Sequence, residues 1–271
     1  MDKEEFVCKV KEILEDVFDA TSFYSVIMQL RDAQEHKNDV VNLSPGFYTI
    51  TFMALQRACF MTIAKLYENS DDVFSLGTIL KIYQENREWF PEYASISEFN
   101  DGENMHRTAY PYKHTVKPAE ECYFKDEVAK YKDSQYFSET RPLTVYLTFS
   151  EYLDLYQKRF SALSKKKEHI RIQRNKHYAH NDTQALLNLE QIFRKNPVSL
   201  QDMSDMIDFA QDLVFLVLEL LTKVCHVYEI LGNDDLSNTL EMAELGMKYQ
   251  EYDIEQATQK LLGGDTDDEL Q

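Results

Sequence analysis

Residues 171–182 read RIQRNKHYAHND, placing two arginines and two histidines within a dozen positions of an otherwise acidic chain. Histidine is the side chain whose ordinary pKa lets it give or take a proton near neutrality. Arginine is a permanent cation whose planar fork matches phosphate oxygens. Together they supply the parts for attack of a ribose hydroxyl on its own phosphodiester. One group moves protons while the other holds the extra charge of the transition state. A second chemistry is open to the same residues. His177, His180 and Asp182, with His169 nearby, offer imidazole and carboxylate donors to a metal. The lysines and arginines from Lys165 to Lys176 disfavour a dication there, and no second donor cluster occurs elsewhere in the chain. A third reading assigns no chemistry, because arginine and histidine also decorate helix ends.

The elements that must position these residues belong to a chain of 271 residues with a net charge of −18. Such a surface repels phosphate and excludes broad, nonspecific binding of nucleic acid. The charge is uneven, however. Between 158 and 180, eight cations (Lys158, Arg159, Lys165, Lys166, Lys167, Arg171, Arg174, Lys176) face one acid, Glu168. This strip is either a seat for an anion or a solvated helix face. Its LSKKKEH run at 163–169 is the part suited to tracking an RNA backbone. The longest apolar run, LVFLVLELL at 213–221, is too short to span a bilayer and contains Glu219. The N-terminus lacks the pattern of a signal peptide. Cys8, Cys59, Cys122 and Cys225 lie far apart, which suits reduced, buried thiols in a cytoplasmic protein.

Periodicity predicts an all-α chain. Phe6, Val10, Ile13, Leu14, Val17 and Phe18 mark a helix over 3–34. NLSPG at 42–46 stops it and starts another, with Ser44 as cap and Pro45 in the first turn, running to about Tyr67. A shorter helix is expected over 73–87, with Val73, Leu76, Ile79, Leu80 and Tyr83 on one face. Four of the six prolines fall between 90 and 142, so this stretch reads as an irregular insertion with a helix near 118–132. Its YPYKH segment at 110–114 is either a substrate clamp or packing against the body. A long helix from about Ser150 leads into the motif. Ser199 and Asp202 then begin an apolar helix over 200–231, closed by Gly232. A last amphipathic helix near 235–262 ends in an acidic tail. The division expected is N-terminal bundle helices at 1–89, the insertion at 90–142, motif-bearing helices at 143–232 and a C-terminal segment at 233–271. No strand-like alternation and no Gly-rich phosphate loop is seen. On one straight α-helix, Arg174 and His180 stand about 120° apart around the axis. A two-fold dimer, in which two copies of the strip share a cleft, removes that difficulty.

The run Arg174-Asn175-Lys176-His177-Tyr178-Ala179-His180-Asn181-Asp182 resembles the signature of the HEPN superfamily, an arginine followed four to six residues later by histidine. Its form is close to that of the abortive-infection branch. The segment TFMALQRACFMTIAKLYENSDDVFSLGTILK at 51–81 is similar to the same branch. The resemblance covers about 45–90 and 143–230. It implies a HEPN-like helical bundle, usually a homodimer, acting as a ribonuclease that needs no metal or other cofactor. By position it makes Arg174 the phosphate-binding and transition-state residue, His180 the proton-transfer residue and Asn175 the polar residue that orients the site. Arg171 and His177 show the same spacing, so a second register stays open. Lys167, Arg171, Lys176, His177 and Tyr178 are then candidate RNA contacts, Tyr178 by stacking a base or, alternatively, as a core or interface aromatic. The resemblance also implies a defence or toxin role, with an antitoxin or nucleotidyltransferase as a possible partner. The rival is a helical module that binds RNA, nucleotide or a partner without catalysis.

Overall fold

The computed structural model describes residues 1–70, 72–100, 105–138, 140–178, 189–224 and 234–263. The chain is predominantly helical and divides into two compact units. The first comprises Met1–Val17 and Ile63–Val227, the second Phe18–Thr62 and Tyr228–Gln271. Among the described residues no helix is long and apolar enough to cross a membrane.

Helix α1 (Lys3–His36) and helix α3 (Pro45–Leu66) each contribute to both units, and the short α2 (Asn38–Asn42) lies between them. The first unit is built on the apolar helix α9 (Leu200–Thr222), which follows α8 (Leu189–Lys195). Its start is the predicted capping box, since the Ser199 side chain accepts from the Asp202 N–H while the Asp202 carboxylate accepts from the Ser199 N–H. Leu213, Val214, Val217 and Leu218 are wholly buried, which identifies the LVFLVLELL run as core. Helices α4 (Leu76–Glu85) and α6 (Phe149–Ala162) pack on α9 and on each other. Their meeting point is aromatic: the Tyr83 ring lies 4.6 Å from Phe90 and 4.7 Å from Phe149. Phe6, on the first turns of α1, sets its ring 5.8 Å from Trp89. The second unit has a small core of Ala33, Val40 and Leu240, the last from helix α10 (Asp235–Gly263). Leu236, Ala243 and Met247 of α10 pack around it at helical spacing.

Three expectations need correction. The insertion contains strands: β1 (Ser95–Asn100) pairs antiparallel with β2 (Met105–Tyr110), in the register Ser95↔Tyr110. Also within it, β3 (Tyr112–Thr115) pairs with β4 (Thr144–Leu147), which lies just past the expected insertion, Tyr112 opposite Leu147. Every residue of β1 and β2 is exposed, so no buried face imposes an alternation on the sequence. Helix α9 ends at Thr222, with Lys223 in the left-handed conformation at φ 57°, and the expected closure at Gly232 lies outside the described residues. A lysine at that position leaves no glycine signal to read. Finally, Cys8 and Cys122 are exposed, whereas Cys59 is buried and its thiol is pushed up to about 12 by burial.

The expected helix near 118–132 is present as a 3₁₀ segment, Pro118–Tyr123, followed by α5 (Lys125–Lys132). A buried ionic network joins this insertion to α6 and α9, beside neutral bonds such as Phe149 N–H to Glu92 O. Glu120, 1 % exposed, accepts from Arg159 Nη1 (2.6 Å), from His114 Nε2 (2.9 Å) and from the Lys117 N–H (3.1 Å). Arg159 also donates through Nη2 to Asp212 (2.8 Å), which pairs with Lys117 as well. Burial alone would raise the Glu120 carboxyl, but the bonds from His114 and Lys117 and the Arg159 charge hold it below the usual range. In YPYKH, His114 is thus engaged with Glu120, and the Tyr112 hydroxyl donates to Pro91 O at 2.8 Å. Two of its side chains are therefore engaged in bonds within the insertion.

Candidate functional site

The site is assembled where the end of α3 meets the turns that carry the motif. Helix α7 (Ser164–Gln173) continues from α6 after a break at Leu163. It is anchored by Ile170 and by Gln173, both almost fully buried, with Gln173 donating to Asn196 O at 2.5 Å. Arg174–Tyr178 then forms a π-helical turn. Such turns are rare and concentrate at functional sites, because the looser backbone ladder re-aims a side chain. The separation of about 120° worked for a straight α-helix therefore does not apply here. His180 and Asp182 lie outside the described residues.

Arg174 is half-buried and held from two sides. Its Nε donates to Asn175 Oδ1 at 2.9 Å, and its Nη1 pairs with the carboxylate of Glu68. Glu68 is placed by its neighbour. The Tyr67 hydroxyl donates to Met206 O of α9 at 2.6 Å, and its ring stacks on Phe160 with centroids 6.1 Å apart. Burial pushes the Tyr67 phenol well above its ordinary range, so it stays a neutral donor. The second oxygen of Glu68 accepts from the Asn69 N–H at 3.2 Å.

Beside Arg174 opens a cleft of about 280 Å³, lined among others by Tyr67, Glu68, Gly77, Phe160, Lys167 and Arg171. Its volume suits one phosphate with part of a nucleoside rather than a folded polymer. Lys167 sits over the Phe160 ring, Nζ 3.3 Å from the centroid, and has no carboxylate partner among the described residues. Burial lowers the pKa of this amine, and the ring face favours its charged form. Arg171, in contrast, donates to both oxygens of Glu168, at 2.8 and 2.7 Å, on an exposed helix face.

The structure thus brings Lys167, Arg171 and Arg174 to one cleft and joins Arg174 to Asn175. It leaves Lys176 exposed, away from the cleft lining. His177 and Tyr178 lie in the π-helical turn. His169, a candidate metal donor, bonds through Nδ1 to Pro197 O at 2.9 Å. Among the described residues, no group of three or more His, Cys, Asp or Glu is arranged to hold a metal ion. Four of the eight cations of the basic strip are paired with carboxylates in space. Arg159 meets Glu120 and Asp212, Lys166 meets Asp202 (3.0 Å) and Asp205, Arg171 meets Glu168, and Arg174 meets Glu68. Glu68, which sequence reasoning did not assign, lies inside the 51–81 segment that carried part of the resemblance.

Compared with known families, the chain matches the model of the HEPN_AbiU2 family (AbiU2) over residues 3–242. Neither curated proteins nor solved structures yield a significant match. The matched span includes the α3 end, the insertion, the motif and α9, so every part of the cleft falls within it. The chain belongs to this HEPN-type abortive-infection family.

Proposed function

From membership of the HEPN_AbiU2 family we propose that this protein is a metal-independent RNA endonuclease acting in defence or as a toxin. The ribose 2′-hydroxyl attacks the adjacent phosphorus and loses its proton, and the bond to the 5′-oxygen breaks as that oxygen gains one. The products are a cyclic phosphate and a free 5′-hydroxyl. Arg174 binds the phosphate and stabilises its extra charge, His180 transfers a proton, and Asn175 orients Arg174. Lys167 supplies a further cationic contact, with Arg171, Lys176, His177 and Tyr178 as flanking RNA contacts. Two copies of the chain form the working unit, acting in the cytoplasm, and an antitoxin or nucleotidyltransferase partner restrains it.

The observation supporting this reading best is the setting of Arg174: on a π-helical turn, bonded to Asn175, and lining a small cleft that it shares with Lys167. The net charge of −18 and the pairing within the strip favour a selective substrate, such as an exposed loop, over bulk RNA. The test is cleavage of a structured RNA pool, with detection of cyclic-phosphate ends. His180→Ala and Arg174→Ala should each reduce cleavage roughly a hundredfold or more. His180→Ala should leave affinity nearly intact, whereas Arg174→Ala should weaken binding and flatten its salt dependence. Tight RNA binding without cleavage, unaltered by His180→Ala, would establish the binding module instead.

A further inference from the structure

Arg174 has five N–H donors, and the structure shows how two are used. Nε is bonded to Asn175 and one N–H of Nη1 to Glu68. Among the described residues the other three have no partner, and they include both donors of Nη2. Arginine frequently holds a phosphate through two parallel donors, and among the described residues Glu68 takes one donor of the five. The contact fixes one terminal nitrogen of the guanidinium.

Glu68 is itself fixed. Tyr67, one residue earlier, is bonded to α9 and stacked on Phe160, and Glu68 accepts from the Asn69 N–H. Glu68 and Arg174 are each about one-fifth exposed, at 20 % and 19 %, so water screens the pair only partly. Asn175 grips Nε from the residue next in sequence, and Glu68 grips Nη1 from 106 residues upstream. Two fixed points define the plane of a guanidinium, where one leaves it free to swing. A cation that must meet charge developing on a phosphorane gains from being aimed beforehand.

Building on the ribonuclease reading, we propose that Glu68 is a positioning residue that aims Arg174 at the scissile phosphate. The experiment measures steady-state RNA cleavage by Glu68→Gln and Glu68→Asp, with Arg174→Ala alongside, at a temperature where melting curves show all of them folded. Glu68→Gln should lower kcat about tenfold or more, with KM unchanged or reduced, since removing a carboxylate near a phosphate seat does not weaken attraction for RNA. Glu68→Asp, which keeps the charge, should recover part of kcat. A lower folded fraction would also cut the apparent kcat at constant KM, so rates are taken per folded protein from the melting curves, and partial recovery in Glu68→Asp marks the positioning role. Wild-type kcat in Glu68→Gln, or a loss confined to KM, overturns the assignment. Faster cleavage by Glu68→Gln also overturns it, and makes the carboxylate an inhibitor. Arg174→Ala cleaving at the wild-type rate would instead overturn the ribonuclease site itself.

Discussion

Replacing Glu120 by glutamine tests what joins the insertion to the helical body. The change keeps size and shape but removes the charge that meets Arg159, and Glu120 is 1 % exposed against 10 % for Arg159. Both carboxylate oxygens are acceptors now, one for Arg159 Nη1 and the other for His114 and the Lys117 N–H. An amide must turn its NH₂ toward one of these sets, so donor faces donor whichever way it lies. Breaking a buried ion pair by removing one partner costs about 3–5 kcal/mol. Arg159 keeps Asp212 at 2.8 Å, which points to the lower end, about 3 kcal/mol. For a domain of this size that corresponds to a fall in melting temperature of roughly 6–12 °C. Glu121→Gln is the control next door, because the Glu121–Lys132 pair at 3.2 Å is about half exposed and should contribute less than about 1 kcal/mol. The pH dependence has a definite sign. The Glu120 carboxyl is lowered in the folded protein, so its stabilisation is present above the unfolded value of about 4.3 and is lost as pH falls through the lower folded value. The gap between wild type and Glu120→Gln should therefore close in acid. Thermal melts at neutral and acid pH read both quantities. If Glu120→Gln melts with Glu121→Gln at neutral pH, the buried network does not hold the insertion.

Two further outcomes bear on the cleft. Lys167→Ala should weaken binding of single-stranded RNA about five- to tenfold and make the slope of log affinity against log salt shallower by about 0.7. Because burial lowers the Lys167 pKa, the contribution of this residue should fade as pH rises, earlier than for an exposed lysine. An unchanged salt slope would place RNA elsewhere. Cleavage should also persist in excess chelator. Activity lost on chelation and restored by one metal would return His177, His180 and Asp182 to the role of ligands.

Helices were readable where burial imposes a period. The apolar positions of α1 marked its course, and the capping box at Ser199 marked the start of α9. Legibility failed where burial imposes nothing. The hairpin of β1 and β2 is exposed along both strands, so its pairing rests on backbone bonds that any side chains allow. The stop at Lys223 relies on a left-handed lysine, a conformation that sequence reading reserves for glycine or asparagine. The π-helical turn at Arg174–Tyr178 has no compositional signature of its own, and it replaces the straight helix on which the angular argument was based.

The charge strip was misleading for a more general reason. A window of eight cations and one acid counts neighbours along the chain, while an electrostatic field depends on neighbours in space. Of the carboxylates that meet the strip among the described residues, only Glu168 lies at helical spacing from its partner, Arg171. Asp205 is 39 residues from Lys166, Asp212 is 53 from Arg159, and Glu68 is 106 from Arg174. No local pattern encodes such pairs. The family resemblance could name Arg174, because a motif is local, but it could not show that Arg174 arrives at the cleft already engaged. On the proposed ribonuclease reading, the pairing also bears on how an acidic protein would meet a polyanionic substrate. Neutralised cations contribute little counterion release, so affinity would come from the groups that line the cleft. Among the described residues of the cleft lining, Lys167 has no carboxylate partner and Arg174 gives Glu68 one of its N–H donors.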